Sequence, residues 1–276
     1  MRVTRSCDYS YLKSKTICPS HPEAERARQV RTCFERHRRR YGSRRIAKEL
    51  RLGRFLVRRL LREQGLKAIQ PQSFVPRTTD SRHGVRISPN VLKGLGEIRQ
   101  VGTVVVGDIT YLPLRNRKFC YLATFQDKYT RRIIGWAIAG EMTAELVVRA
   151  LAMALRRGLI AKNAIVHTDR GSQYVSNLYR ALLQLHGLRQ SMSGKGNCYD
   201  NAQAESFFAR FKTELVEGGV FESIEQAISE TFGYIEGYYN RIRLHSSLGY
   251  KSPLEFEKEL KIEKERSSVS FVSCST

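Results

Sequence analysis

Two acidic motifs at a fixed separation constrain this chain more than any other feature. The first, H-T-D-R-G-S-Q-Y from His167 to Tyr174, carries Asp169; the second, G-N-C-Y-D-N-A-Q-A-E-S-F-F from Gly196 to Phe208, carries Glu205. Thirty-five residues lie between the two acids. A third acid, Asp108, ends the apolar run V-V-V-G in V-V-V-G-D-I-T-Y-L. A carboxylate there is costly to bury unless it is paired or bound to a metal. Three carboxylates on converging elements suit a two-metal phosphoryl-transfer site, because hard divalent cations take oxygen ligands and two ions roughly 4 Å apart serve attacking and leaving oxygens. Asp108, Asp169 and Glu205 are therefore the candidate catalytic and metal-binding residues.

The pattern around these acids predicts a mixed α/β domain. Strands are expected from Val104 to Leu114 with a break near Pro113, over Phe119–Asp127 and over Arg132–Ala139, forming an antiparallel meander. A helix capped by Thr143 runs to about Arg157, with Leu146, Ala150, Met153 and Ala154 inward. Further expected elements are a buried strand Ala164–His167, a helix Val175–His186, a strand Leu188–Met192, a long helix Tyr199–Val216 and a helix Ser223–Arg241. Residues 257–276 read as a charged, then Ser-rich tail. Glu205 shares a helical face with Asn201 and Lys212, while Ala204, Phe208, Phe211 and Leu215 line the adjacent apolar face.

Charge identifies the partner class. The formal net charge is +22, and residues 1–100 hold 25 Lys and Arg against 8 Asp and Glu. Such an excess points to a polyanion, with the first third as the main grip on DNA. There, residues 23–40, 44–52 and 54–64 have helical periodicity, Ser43 is a plausible N-cap and Gly53 permits a turn. Helix, short turn and Arg-rich helix form a helix-turn-helix-like outline, with Arg44, Arg45, Arg54, Arg58 and Arg59 available to phosphates or guanine edges. A plain three-helix cap with a solvated Arg face accounts for the same pattern. Residues 68–100, with Pro71, Pro76 and Pro89, read as a basic linker. Other candidate DNA contacts are Lys195 in the Gly-rich S-M-S-G-K-G loop, Lys212, and the cluster Tyr239, Asn240, Arg241, Arg243 and His245. His245 reads as a structural hydrogen-bonding residue ahead of a catalytic one, and Asp127 and Asp200 read as structural acids or as acids that support the metal ligands from behind.

Six cysteines at positions 7, 18, 33, 120, 198 and 274 show no C-x-x-C pair, so reduced thiols in a cytosolic protein are expected. No run approaches the roughly 18 apolar residues of a membrane span, and no apolar signal core opens the chain. No membrane partner is expected.

Taken together, D-I-T-Y at Asp108, H-T-D-R-G-S-Q-Y at Asp169, S-G-K-G-N-C-Y-D-N-A-Q-A-E-S-F-F at Glu205 and Y-Y-N-R-I-R-L-H-S-S-L-G-Y-K-S-P from Tyr238 resemble one family. It is the integrase-like transposases encoded by the second reading frame of bacterial insertion sequences of the third-numbered group. The resemblance covers about residues 24–257. It implies a ribonuclease-H-like mixed five-stranded sheet with flanking helices, preceded by a small all-α helix-turn-helix-like domain. The implied divisions are 1–67 helical, 68–100 linker, 101–257 catalytic core and 258–276 tail. It implies Asp108, Asp169 and Glu205 as the D,D-35-E triad with two Mg²⁺ ions, for which Mn²⁺ substitutes. Implied partners are the element's terminal inverted repeats and target DNA, further copies of the chain assembled on DNA, and the product of an upstream reading frame; the implied location is the bacterial cytoplasm, at the nucleoid. The region around the last two N-terminal helices is several residues shorter than the family pattern, and Val104–Val106 stands where the family has Trp. The alternatives are a partial transposase that only binds DNA, and a nuclease of the same fold.

Overall fold

The computed structural model describes residues 21–70, 87–115, 117–194, 202–216 and 219–272. The chain divides into two compact units at Gln70–Pro71.

The N-terminal unit is a three-helix body: α1 (His21–Arg36), α2 (Ser43–Glu49) and α3 (Arg54–Glu63). Its interior is Val30, Cys33, Phe34, Tyr41, Ile46, Val57, Leu60 and Leu61. The expected first helix stops earlier than its periodicity suggested, because Arg38 and Arg39 take left-handed φ values of 49° and 62°. Gly53 does not supply the left-handed turn between α2 and α3. It has φ −63°, and Arg51 takes the positive φ instead, at 55°.

The larger unit is built on a five-stranded sheet of order β3-β2-β1-β4-β5, with β1 Val104–Pro113, β2 Phe119–Asp127, β3 Ile133–Ala139, β4 Ile165–Thr168 and β5 Arg189–Met192. β1, β2 and β3 form the antiparallel meander; β4 joins β1 and β5 joins β4 in parallel. Both faces are covered, so alternate strand residues enter different cores. Ala123 and Phe125 pack with α4 (Ala144–Arg156), α5 (Ser172–Val175) and α6 (Asn177–Leu185). Cys120 and Leu122 pack with Phe207, Phe208 and Phe211 of α7 (Ala202–Phe211) and with Phe221, Tyr234 and Tyr239. The Cys120 thiol, buried between them, is pushed up to about 11. Two glycines permit this closeness: a Cβ on Gly135 would lie 2.2 Å from the Ala150 carbonyl oxygen of α4, and one on Gly107 would lie 2.5 Å from the Phe125 ring.

Several elements depart from the periodicity-based expectation. The helix predicted from Val175 is two, because Ser176 adopts extended backbone and accepts a hydrogen bond from Tyr179 N as an N-cap. The helix predicted over Ser223–Arg241 is α8 (Ile224–Phe232) continued by a π-helical stretch, Gly233–Tyr239; α7 likewise passes into a π-helical turn, Lys212–Val216. Residues 257–272, expected as tail, belong to α9 (Pro253–Val272), anchored by an ion pair of buried Glu257 with Arg132 at 2.7 Å. The end of the expected linker lies against β5: Ser88 Oγ donates to Gln190 at 2.8 Å, and Val91 N to Ser191 Oγ at 3.0 Å.

Candidate active site

Asp108 stands in the middle of β1, opposite Thr124 of β2. The parallel pairing of β1 with β4 sets Val106 beside His167. Carried two residues further, that register sets Asp108 level with Asp169, just past the end of β4. The strands thus deliver the first two acids to one place. Asp108 Oδ1 accepts from Ile109 N at 2.9 Å and Asp169 Oδ1 from Gly171 N at 3.0 Å, so both carboxyls are oriented by backbone. α7 packs against β1 through its phenylalanine face and leaves Glu205 exposed.

Burial holds the Asp108 carboxyl well above the usual carboxylate range, Asp169 and then Glu205 push it further up, and the Ile109 amide and Lys212 oppose the rise. The three acids are therefore electrostatically coupled, and the buried one ionises less readily than a free carboxyl. Lys212, half-buried two turns along from Glu205, stands with Nζ 3.8 Å from the centroid of the Tyr111 ring. Burial lowers its proton affinity while Asp108 acts against that.

Residues the sequence reasoning missed brace the strand ends beside these acids. His167 is fully buried, with Nδ1 2.9 Å from Ser191 Oγ and Nε2 3.1 Å from Ser193 Oγ, which joins the ends of β4 and β5. Arg170 Nε donates to the Ser193 carbonyl at 2.8 Å. Burial, then Asp169 and Asp108, hold the Tyr174 hydroxyl in its neutral form. Asp127 is the structural acid expected: it accepts from Gly102 N at 2.6 Å, Thr130 N at 2.6 Å and Thr130 Oγ1 at 2.8 Å. The H-T-D motif was the available signal for His167; its serine partners lie on a different strand.

The cluster predicted to meet DNA around Tyr239 requires correction. Tyr239 is buried, edge-on to Phe207 and accepting a hydrogen bond from Gln126 at 2.9 Å. Asn240 is buried and pairs both ways with the Ile133 backbone at 3.0 Å. Arg243 is buried in a bidentate pair with Glu214, closest at 2.6 Å. Burial opposes its charge, but the Glu214 hydrogen bonds outweigh burial and hold the guanidinium protonated. Each of the three is held in the core by a buried polar partner from elsewhere in the chain: the Gln126 amide, the Ile133 backbone and the Glu214 carboxylate. His245 is half-buried, edge-on to Tyr239 at 4.9 Å, whereas Arg241 faces solvent. Lys195 and Asp200 lie outside the described residues.

In the N-terminal unit Arg44, Arg54, Arg58 and Arg62 are exposed, and Arg45 lies half-buried over the Tyr41 ring. Arg59, predicted to contact DNA, is exposed and pairs with Glu23 of α1 and, at 3.7 Å, with Glu63. Phe55, on the first turn of α3, is 84% exposed among these arginines.

Sheet order, acid placement and flanking helices define an integrase-type catalytic core on a ribonuclease-H-like fold. Integrase core domain models match residues 99–198 and 186–253, and an HTH-like domain model matches residues 21–74. The Escherichia coli (strain K12) transposase InsF for insertion sequence IS3A is 40% identical over 266 residues, covering 94% of this chain and 92% of that protein. A 31 kDa protein of insertion element IS600 from Shigella sonnei is 37% identical over 262 residues, covering 93% and 96%. The HTLV-2 integrase catalytic core, solved in complex with magnesium, aligns at TM-score 0.44 with 11% identity over 56% of this chain and 96% of that one. A simian T-cell lymphotropic virus intasome chain aligns at TM-score 0.48 with 13% identity over 83% and 73%. The chain belongs to the InsF-type transposases of IS3 insertion sequences, enzymes of the DDE polynucleotidyl transferase class. Among the described residues no helix is long and apolar enough to cross a membrane.

Proposed function

We propose that Asp108, Asp169 and Glu205 are the catalytic acids, holding two Mg²⁺ ions, with Mn²⁺ an effective substitute. The observation that carries this reading is the β1–β4 register that sets Asp108 level with Asp169, with burial and then both other acids raising the Asp108 carboxyl. Oxygen-only donors with excess negative charge fit a hard divalent cation, which would relieve that pressure. Such ions supply charge neutralisation and activation of the attacking and leaving oxygens.

The chain's own groups orient the acids and the DNA. The amides of Ile109 and Gly171 aim the Asp108 and Asp169 carboxylates, and the His167–Ser191–Ser193 bridge holds the strand end under Asp169. Lys212, backed by the Tyr111 ring, meets a DNA phosphate beside the acids. Two in-line displacements follow. Water attacks a phosphodiester at the element end, forming one P–O bond and breaking another to free a 3′-hydroxyl. That hydroxyl then attacks a target phosphodiester, and the displaced strand leaves with its own 3′-hydroxyl.

Residues 1–67 form the DNA-reading part, 68–100 the connection and 101–257 the catalytic core. In α3, Arg54, Arg58 and Arg62 face phosphates and base edges, joined by Phe55, whose exposed ring suits a thymine methyl or an unstacked base. Arg44, Arg45, Arg241 and Lys195 add phosphate contacts. The protein works in the cytoplasm at the nucleoid, as several copies on paired DNA ends, with an upstream reading-frame product as a further partner.

The test is a labelled duplex bearing the inverted repeat adjacent to the gene, incubated with Mg²⁺ or Mn²⁺ and either wild type or Asp108→Asn. Cleaved and joined products from wild type alone support the reading. Cleavage without joining points to a nuclease, and binding without either product in both proteins overturns the catalytic assignment.

A further inference from the structure

The three-helix unit contains a cluster that the DNA chemistry does not use. Cys33 lies on the inner face of α1; His37 follows one turn later, its amide hydrogen-bonded to the Cys33 carbonyl at 3.2 Å. Glu49, the last residue of α2, meets them from the facing helix, with Oε2 2.8 Å from His37 Nε2. One donor atom from each residue lies within 4.8 Å of the others. The thiol and the ring are 1% and 2% exposed, whereas the Glu49 side chain is 23% exposed.

We propose that Cys33, His37 and Glu49 form a structural site for a zinc-class divalent transition-metal ion that clamps α1 to α2. Sulfur, imidazole nitrogen and carboxylate oxygen together form a borderline-soft donor set, which selects zinc-type ions over magnesium. Four-coordinate zinc places sulfur at about 2.3 Å and nitrogen or oxygen at about 2.0–2.2 Å. Its ligands therefore stand roughly 3.3–3.8 Å apart, so the His37–Glu49 separation of 2.8 Å opens by roughly half an ångström on binding. A solvent molecule completes the fourth position through the partly exposed Glu49 side.

Binding at this site is coupled to protonation. Burial, opposed by Glu49, lowers the proton affinity of His37, which leaves its ring neutral with a lone pair to donate. Burial and Glu49 raise the Cys33 thiol to about 11, so binding releases that proton to solvent. The thiolate and carboxylate then balance the ion's two charges. Arg36 pairs with Glu49 and fixes the carboxylate's orientation, as outer-shell donors do at metal sites. The stacked Tyr41 ring, 3.7 Å from His37 and within 7° of parallel, fixes the imidazole plane. A helical body this small buries little apolar surface, so a metal staple has a large relative effect on its stability.

The test is Co²⁺ titration of the metal-free full chain, read by the sulfur-to-cobalt charge-transfer absorption. Only a thiolate ligand gives that signal, so ions on Asp108, Asp169 and Glu205 are silent. The expected result is one saturable equivalent, lost in Cys33→Ser, weakened at least tenfold in His37→Gln, unchanged in Cys120→Ser, and displaced by Zn²⁺. Circular dichroism establishes that Cys33→Ser stays folded. A folded wild type without the absorption, or an absorption that survives Cys33→Ser, overturns the site and leaves a hydrogen-bonded helix contact in its place. Neither outcome depends on catalysis.

Discussion

Arg243→Ala separates a structural arginine from a DNA-binding one. The Arg243 and Glu214 side chains are 3% and 5% exposed, and the guanidinium donates to the carboxylate at 2.6, 2.8 and 3.1 Å. Tyr234 donates its hydroxyl to the same carboxylate at 2.9 Å. Removing Arg243 strands a buried carboxylate with one neutral donor, which costs about 3–5 kcal/mol. In a unit of this size each kcal/mol lowers the melting temperature by about 2–4 °C, so a fall of roughly 6–20 °C is expected. Glu214 lies in the π-helical turn that begins at Lys212, so the same change loosens the helix end carrying Glu205 and Lys212. Thermal and urea denaturation read the stability. Salt-dependent DNA binding reads the alternative, because loss of a phosphate contact flattens the salt slope without altering stability. Exposed Arg241→Ala is the control and should change binding only. Replacing the pair with Met and Leu should recover most of the lost stability. An Arg243→Ala protein that melts like wild type but binds DNA weakly would refute this account.

Other perturbations address the acids, the sheet and the reading helix. Asp108→Asn should abolish cleavage and joining while raising the melting temperature of the metal-free protein. Because the folded Asp108 carboxyl is raised above its ordinary value near 3.8, its contribution to stability is fully present below that value and fades as pH rises through the folded one. The Asp108→Asn minus wild-type difference in melting temperature should therefore grow with pH in chelator and shrink when Mg²⁺ is added; a pH-independent difference would disprove the coupling. Gly135→Ala drives a methyl into the Ala150 carbonyl and should cost about 3 kcal/mol or more, measured by urea denaturation. Phe55→Ala and Arg58→Ala should each weaken binding to the terminal repeat by about 1–3 kcal/mol and relax base preference, whereas Arg59→Ala should leave that preference intact; competition binding with mutated repeats distinguishes them.

Much of the core was legible because its determinants are local. Alternating apolar residues from Val104 onward marked strands, and a carboxylate at the end of such a run marked the centre of the site. The three-to-four-residue apolar spacing in α4 marked a sheet-covering helix. The Asp108–Asp169 alignment follows from the β1–β4 register, which the motifs did not give and the sheet supplies. What the sequence alone determined was therefore the five strands, the acids and their order.

Only the tertiary structure decided which polar residues turn inward. Tyr239, Asn240 and Arg243 read as a basic, aromatic DNA patch, yet their partners Gln126, Ile133 and Glu214 come from distant parts of the chain. The π-helical stretches Lys212–Val216 and Gly233–Tyr239 also change the facing of later residues, because each π turn takes more residues than an α turn. Arg59 was paired with Glu23, and Cys33 and His37 were brought to Glu49, by contacts between separate helices. A polar side chain lies at the surface or in the core according to whether another segment satisfies its charge and hydrogen bonds there, and that depends on the assembled fold rather than on its neighbours in sequence.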